Sequence, residues 1–470
     1  MLSLRRFARA RVLRGVLSFG SAALVAAAVL PTACSSATER ETFDSDAGTG
    51  GASGENPGGP ADGGIGINTD GKGQCSNLEC QVDACEGQPK TTITGKVYDP
   101  AGKIPLYNAI VYVPNTRDLP PVVQGASCDR CGTLAVDPVV SALSGIDGSF
   151  TLENVPAGED IPVVVQIGKW RKEIRITVDP CKENELEDKL TLPKNQQEGS
   201  MPRIAVSAGG EDALACLLSR IGVDDDEFTL PGEGGAVQVF GGTGASPRVN
   251  GDTAPQAKAE LWDSLDHLKA YDLVLLACDS AENNQDRPIE AKERMRDYLN
   301  AGGRVFATHY HFTWFRNGPA DMQSVASWGE STSATFATKT FSIDRTFPKG
   351  EAFGDWLEEV GASDNGSDLD ITEYAPSIDA ANDRSQRWVY DDSEHPVKYL
   401  SFNTPVEAEP ELQCGRGVIS DIHVGTGNDN TVPSGCGSAA LSPQEKALLF
   451  LLMDLSSCVQ DDSTPPVVPN

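Results

Sequence analysis

The sequence is short of positive charge and of histidine. Its 470 residues include 38 Lys and Arg against 68 Asp and Glu, a formal net charge of −30, and only five histidines. Because no basic surplus exists to meet phosphate groups, nucleic acid and an anionic membrane face are excluded as main partners. Hydrophobic residues still make up 39% of the chain, which is enough for packed cores and excludes wholesale disorder. The length predicts two or three domains.

Near the N-terminus the apolar run is too short for an ordinary membrane-spanning helix. It lies between arginines and small residues, so residues 1–33 are predicted to be a secretory signal peptide. Residues 30–34, Leu-Pro-Thr-Ala-Cys, resemble the lipobox of bacterial lipoproteins, although that family prefers leucine where Pro31 stands. The resemblance implies that Cys34 is lipidated and anchors the chain to a membrane, at the outer membrane or cell surface. The alternatives are simple secretion with cleavage near Ala33, or an uncleaved anchor.

Two segments have compositions that predict disorder. Residues 34–74 are rich in glycine, and Phe43, Ile65 and Ile67 are their only large apolar residues. Such a chain buries too little surface to offset the entropy of ordering, so we expect a flexible acidic tether. Residues 459–470 are expected to form a disordered tail.

Short alternating strands separated by turn residues predict a small antiparallel β-sandwich over residues 75–195. Its turns and strands carry three motifs: Gly95-x-Val97-x-Asp99-x-x-Gly102, Asp147-Gly148-Ser149-Phe150 and Val155-Pro156-Ala157-Gly158. These motifs resemble the carboxypeptidase regulatory-like domain, a transthyretin-like sandwich. The resemblance implies an accessory module of a secreted or surface protein and no catalytic residue.

Twelve cysteines are many for a reducing compartment and ordinary for an oxidising one. Cys128 and Cys131 lie in a Gly- and Pro-rich insertion, and no second C-x-x-C exists to complete a zinc site, so a local disulfide is predicted. Cys181 follows the last strand of the sandwich and is expected to pair with a cysteine before the first, either Cys75, Cys80 or Cys85. That link would close a long loop.

After a linker near residue 195, apolar runs alternate with helical patterns up to residue 458. This alternation predicts an α/β domain over residues 201–458, with a parallel sheet covered by helices on both faces, of the flavodoxin-like kind. The motifs are Tyr271-Asp-Leu-Val-Leu-Leu276, Ala301-Gly-Gly-Arg-Val-Phe306 followed by His309, Thr372-Glu-Tyr374, and Gly415-Arg-Gly-Val-Ile-Ser-Asp-Ile-His423. They resemble the class I glutamine-amidotransferase-like fold, and within it the trehalose-utilisation (ThuA-like) branch. Residues 315–385 have no clear counterpart in that family.

Chemically active residues fall where the predicted parallel strands end: Cys278, His309 with His311, and His423. Carboxyl ends of parallel strands share one edge of a sheet, which is where such sheets bind ligands. A nucleophilic Cys278 would match the amidotransferases. However, the glycines of their strand-to-helix turn are missing here, and an oxidising compartment favours a bridge from Cys278 to another cysteine, with Cys216 as a candidate.

Three histidines, with Glu373 or Asp421, are the second hypothesis for this edge. His309, His311 and His423 would suit a divalent metal such as Zn²⁺. The two near neighbours in sequence converge only if the chain turns, because alternate residues of a strand face opposite ways. The alternative is that these histidines satisfy hydrogen bonds within a half-buried aromatic rim.

A third hypothesis omits catalysis. The segment around His309 and Trp314 is rich in aromatic residues with polar tips, which suits sugars or other flat polar ligands. We therefore expect an exported, lipid-anchored protein that binds a carbohydrate or small molecule without catalysis, through His309, His311, Trp314 and His423. A hydrolase or sugar-modifying enzyme that uses the His-rich site is the alternative.

Overall fold

The computed structural model describes residues 75–329, 332–425 and 427–469. The predicted signal peptide, Cys34 and the tether lie outside these residues. All described residues belong to one compact unit. Within the described part, no helix is both long enough and apolar enough to cross a membrane.

A sandwich of two small sheets forms the first part of this unit. Its strands are β1 (Thr92–Tyr98), β2 (Ile110–Pro114), β3 (Pro138–Leu143), β4 (Ser149–Glu153), β5 (Gly158–Ile167), β6 (Trp170–Val178), β7 (Glu183–Glu185) and β8 (Leu190–Thr191). One sheet has the order β4-β1-β7, with β8 also on β1, and the other has the order β3-β2-β5-β6. The predicted sandwich was antiparallel throughout, but β7 and β8 pair in parallel with β1.

Strand β4 shows why the sequence forms this sandwich. Phe150 and Leu152 are buried while their neighbours are exposed, as the period of two in a half-buried strand requires. The turn before it is stabilised because the Asp147 carboxylate accepts the Ser149 backbone N–H at 3.0 Å. Gly148 has a φ of +78°, which glycine adopts without strain.

The second part contains one large mixed sheet. Its strands and those of a small neighbouring sheet are β9 (Ile204–Ala208), β10 (Phe228–Thr229), β11 (Val237–Gly241), β12 (Arg248–Val249), β13 (Asp252–Thr253), β14 (Leu273–Leu276), β15 (Arg304–Thr308), β16 (Ala326–Trp328), β17 (Thr335–Ile343), β18 (Asp368–Tyr374), β19 (Ile378–Ala381), β20 (Ser385–Tyr390), β21 (Val397–Thr404), β22 (Gly415–Ser420) and β23 (Thr431–Val432). The main path of the large sheet is β10-β11-β9-β14-β15-β22-β21-β20-β17-β18.

The first six strands of that path are parallel, and the remaining four are antiparallel. Five of the parallel strands, numbered in chain order, have the spatial order 2-1-3-4-5, with β9 as the first. The prediction of a parallel sheet is therefore confirmed only for this half. Of the antiparallel strands, β16 to β19 lie within residues 315–385, whereas β21 and nearly all of β20 lie beyond them.

Helices cover the sheet: α1 (Leu214–Arg220), α2 (Ala257–Glu260), α3 (Leu265–Lys269), α4 (Ile289–Asn300), α5 (Thr313–Arg316), α6 (Ala320–Gln323), α7 (Pro348–Glu359) and α8 (Pro443–Ser456). Short 3₁₀ helices lie at Asn77–Gln81, Asp225–Glu227, Asn284–Asp286, His309–Phe312 and Pro410–Leu412. Helix α8 begins with a capping box, in which Ser442 and Glu445 satisfy each other's backbone N–H groups. It is buried along most of its length.

One hydrophobic core joins the two parts, although the sequence predicts a sandwich and an α/β domain as separate domains. A single cluster of buried residues includes Ile93 and Leu152 of the sandwich together with Leu217 of the α/β part. Across the junction, Tyr107 stacks on Phe450 of α8 with ring centroids 5.8 Å apart.

Disulfides also cross this junction. Cys128 pairs with Cys414 and Cys131 with Cys458, so the predicted local Cys128–Cys131 bridge is wrong. Residues on the insertion between β2 and β3 thus bind covalently to the α/β part. The predicted closure of the sandwich is confirmed by Cys85–Cys181, and Cys75 pairs with Cys80.

The C-terminal segment, which we expected to be disordered, is packed against both parts over residues 459–469. Val459 is buried and its N–H donates to the Asp129 carbonyl at 2.9 Å. Asp462 contacts the buried guanidinium of Arg416 at 2.9 Å. The segment is therefore held by specific partners.

Candidate functional site

Four neighbouring parallel strands end at one edge of the large sheet, and polar side chains follow each of them. Glu211 and Asp212 follow β9, Cys278 follows β14, His309 follows β15 and His423 follows β22. The strand order reverses between β9 and β14, because the chain leaves β9 to one side and later returns to the other. A crevice at such a reversal is the usual ligand site of open α/β sheets.

Cys278, His309 and His423 meet in a buried cluster. One ligand atom from each lies within 4.8 Å of the others. The Cys278 Sγ is 3.3 Å from His309 Nδ1, and the two imidazole centroids are 5.2 Å apart. The structure thus brings together three residues separated by up to 145 positions in the chain. We call them the Cys–His–His cluster.

The backbone at His309 directs its side chain toward Cys278. Strand β15 ends at Thr308, and His309 then adopts a φ of 38°, in the left-handed region that a histidine rarely occupies. A residue held there costs about 1–3 kcal/mol, and such strain is typical of functional sites. Next begins the 3₁₀ helix His309–Phe312.

Each histidine of the cluster has one ring nitrogen occupied from outside. His309 Nε2 is 2.9 Å from the Thr332 carbonyl, so Nε2 carries the proton and Nδ1 presents a lone pair to Cys278. His423 Nδ1 is 3.1 Å from Glu373 Oε1. Its Nε2 is buried and has no hydrogen-bond partner among the described residues. This pattern, in which a carbonyl or carboxylate fixes the outer nitrogen, is the one that metal-ligating histidines show.

The protonation states argue against a nucleophilic thiol. Burial raises the pKa of the Cys278 thiol well above its usual value, and the Asp212 carboxylate raises it further. Burial, together with His423, lowers the pKa of His309 to about 3. A reactive cysteine needs the opposite, a thiolate stabilised beside an imidazolium. Cys278 is also fully buried and remains a free thiol, so the predicted bridge to Cys216 is wrong.

The pKa of His423 shifts in the opposite direction from that of His309. Burial lowers its pKa, but the hydrogen bond to Glu373 and the charge of Asp212 outweigh that effect and raise it overall. The two imidazoles therefore differ in basicity although their rings are neighbours.

Two cavities open beside the cluster. The smaller, of about 190 Å³, is lined by Glu211, Ser280, His309, Tyr310, Ser333, Ala334, Phe336, Glu373 and His423. The larger, of about 320 Å³, is lined by Gly209, Gly210, Glu211, Asp212, Ala213, Glu373, Val424, Gly425, Gly427, Asn428, Asp429 and Asn430. Both are lined by Glu211 and Glu373, so they share a wall.

His311 and Trp314, predicted to bind a ligand, do not reach either cavity. His311 Nε2 is 2.9 Å from the Ala277 carbonyl, and its Nδ1 accepts the Trp314 indole N–H at 3.0 Å. Both ring nitrogens are thus occupied inside the core, and Trp314 packs edge-on against Trp262. The chain does turn after β15, but the turn sends His309 and His311 in different directions.

Neither predicted carboxylate lies among the cluster atoms. Glu373, on β18, supports His423 as described. Asp421 is buried and accepts the Ser377 backbone N–H at 2.6 Å. Of the three histidines predicted as candidate metal ligands, the structure therefore brings two together, and Cys278, which we had considered only as a nucleophile, lies beside them.

Sequence reasoning missed the wall that β9 contributes. Asp212 Oδ1 accepts the Val424 N–H at 2.7 Å and so ties the loop after β9 to the loop after β22. The sequence feature that could have revealed this loop as part of the site is the pair Gly209-Gly210, directly after a buried strand. At Gly209 a side chain would collide with the Cys278 carbonyl, since an added Cβ would lie 2.0 Å from it.

Comparison with known proteins gives few likenesses. No protein-family model matches the chain, and no curated protein matches it. A putative ThuA-like protein from Bacteroides uniformis is 9% identical and aligns over 53% of this chain and 90% of its own, with a TM-score of 0.29. A chain of a type II Cohesin-X-Dockerin complex from Acetivibrio cellulolyticus is 15% identical and aligns over 26% and 78%, with a TM-score of 0.16. Likenesses of this size assign no function.

Proposed function

We propose that the protein is an exported binding protein whose Cys–His–His cluster holds a divalent transition metal, with Zn²⁺ as the first candidate. The observation that carries the proposal is the orientation of the imidazoles, each with its outer nitrogen occupied and its inner nitrogen available. A thiolate and two imidazoles are a donor set that Zn²⁺ prefers.

Burial of Cys278 fits this role better than it fits nucleophilic catalysis. A thiol whose pKa is raised by burial is inert as a nucleophile, whereas a bound cation would supply the missing positive charge and displace the proton. The cluster atoms lie up to 4.8 Å apart, so small rotations of the side chains would bring them to coordination distances.

Three protein ligands leave a coordination position free, and we propose that it faces the smaller cavity. Tyr310 stacks on His309 with centroids 3.8 Å apart and lines that cavity. A small polar molecule, such as a carbohydrate, would bind there by a hydroxyl on the metal and by contact with the aromatic rim. The outer residue Phe336 is 71% exposed.

A metal-dependent hydrolase is the second candidate, because three protein ligands and an open position are also the pattern of catalytic zinc sites. Turnover of glycoside and ester substrates by the metal-loaded chain, abolished in Cys278→Ser, would establish it. Without such turnover the binding role stands.

The remaining features of the proposal concern the whole chain. We infer a lipid anchor at Cys34, a carboxypeptidase regulatory-like module over residues 75–195 and a flavodoxin-like, amidotransferase-like domain over residues 201–458. Five disulfides support an oxidising compartment. The parallel strand order 2-1-3-4-5 supports the flavodoxin-like assignment.

Metal analysis of the purified chain tests the proposal. We expect one metal ion per chain after loading with Zn²⁺ and dialysis, and its loss in Cys278→Ser and in His423→Ala. His267→Ala is the matched control, because His267 is exposed and pairs only with Asp263 in the described structure. Stoichiometric metal that persists in both cluster variants, or no metal in the parent chain, would overturn the proposal.

A further inference from the structure

Both cavities beside the cluster are lined by carboxylates, and the cluster histidines His309 and His423 are the only basic side chains among their described lining residues. Glu211, Asp212, Glu373 and Asp429 line them, and no lysine or arginine is among their described lining residues. An anionic ligand would meet repulsion from these carboxylates wherever it lies away from the proposed metal.

Three carboxylates of this wall each have an oxygen that accepts no hydrogen bond from the described residues. Asp212 is buried, and its Oδ2 has no hydrogen-bond partner among the described residues although Asp212 lines the larger cavity. Glu211 receives a hydrogen bond from Ser280 on Oε1 only, at 3.0 Å. Glu373 uses Oε1 for His423, and its Oε2 lies near Gly425, which lines the larger cavity.

A cationic group is the chemistry that such a wall selects. A buried acceptor without a partner is costly, and a charge-assisted hydrogen bond from a cation removes that cost. A bare Ca²⁺ would need six to eight oxygens at about 2.3–2.6 Å, and no such cluster of carboxylates is found in the described part of the chain. Cavities of about 190 and 320 Å³ instead have room for a molecule that carries the cation.

We infer that the ligand of this site is a small polar compound with a protonated primary amine, held by Glu211 and Asp212 while another of its polar groups faces the Cys–His–His cluster. The inference rests on the proposed function and adds a charge requirement to it. Neutral analogues bind weakly and anionic analogues do not bind.

Calorimetric titration of the Zn²⁺-loaded full chain with glucosamine, glucose and gluconate tests this requirement. These probes share a six-carbon polyhydroxyl frame and differ in charge. We expect glucosamine to bind at least tenfold more tightly than glucose, and gluconate to give no signal. Equal binding of glucosamine and glucose, preference for gluconate, or no binding of glucosamine would overturn the inference.

Variants at the wall sharpen the test. Glu211→Gln should weaken glucosamine binding tenfold or more and leave glucose unaffected; Glu211 is exposed, so the fold should tolerate the change. Glu407→Gln, a matched change at an exposed residue outside both cavities, should have no effect. If Glu211→Gln binds glucosamine normally, the inference is wrong.

Metal content is recorded in every titration, which separates this inference from the proposed function. A chain without metal that still prefers glucosamine would contradict the metal proposal and keep the charge requirement. A chain that holds stoichiometric metal but does not prefer glucosamine would support the metal proposal and contradict the charge requirement. Competition by CaCl₂ at stoichiometric concentration would identify the wall as a cation site and overturn the amine assignment.

Discussion

Two buried clusters of metal-type side chains lie in the α/β part, and they differ in what their atoms are free to do. Cys278, His309 and His423 form one; Cys216, Asp429 and Cys436 form the other, and both bring three ligand atoms within 4.8 Å. In the second cluster the two sulfurs are bonded to each other, and Asp429 accepts the N–H groups of residues 215 and 216 at 3.2 Å. Proximity alone therefore does not define a site, because only the first cluster keeps donor atoms available. We call the Cys–His–His cluster the open cluster, and Cys216, Asp429 and Cys436 the closed cluster.

The largest expected difference between the clusters is in stability. Replacing Cys216 and Cys436 together by serine should lower the free energy of unfolding by about 2–5 kcal/mol. The reason is that their disulfide closes a long loop, since the two cysteines are 220 residues apart in sequence. Cys278→Ser removes no cross-link, and we expect a loss of about 1 kcal/mol, the typical effect of a point substitution. Denaturant unfolding measures both. Equal losses in the two variants would show that the free thiol is also structural.

Metal affinity should depend on Glu373, whose carboxylate is hydrogen-bonded to His423 of the open cluster. Glu373→Gln removes the carboxylate that orients His423, and loss of such a supporting group typically weakens metal binding about 10–100-fold. Competition with a chromogenic chelator measures the change. The corresponding change at Glu407 is the control. An unchanged affinity in Glu373→Gln would mean that the Glu373–His423 hydrogen bond does not prepare His423 as a ligand.

Sequence patterns predicted the edge where the open cluster lies, and failed at the level of single side chains. His309 and His423 could be placed together because parallel strands end at a common edge. His311 was misplaced because the alternation of a strand does not apply once the chain enters a 3₁₀ helix at His309. Trp314 looked like a rim residue by composition, yet aromatic residues fill cores as readily as they line sites.

Long-range pairings were beyond the sequence for a different reason. Cys128 and Cys131 are near each other in the chain, but each pairs with a cysteine about 300 residues away. The connectivity of many cysteines depends on tertiary packing, which spacing does not record. The single core was missed in the same way, since the largely apolar sequence of α8 does not say that a sandwich will cover it.

The closed cluster should show a pH dependence that the comparison predicts. Burial raises the pKa of Asp429 to about 7, so the folded state favours its protonated form. This contribution to stability is present below about pH 4 and is lost as the pH rises toward 7, by roughly 1.4 kcal/mol per pH unit between the two pKa values. Asn at this position mimics the neutral acid. Relative to Asp429→Asn, the parent chain should therefore lose stability from about pH 5 to 6, and parallel stability curves would contradict this.

The smallest stability effect is expected at the mouth of the open cluster. Phe336 is 71% exposed and lines the smaller cavity, so Phe336→Ser removes little buried surface and should change the free energy of unfolding by no more than about 0.5 kcal/mol. If the aromatic rim contacts a ligand, the same variant should still weaken glucosamine binding in calorimetry. The two readouts then separate, because a residue that acts on the ligand and not on the core changes affinity without changing stability. A loss of stability above about 1 kcal/mol would instead assign Phe336 to the packing of the antiparallel strands, and the open cluster would lose its outer wall as a binding element.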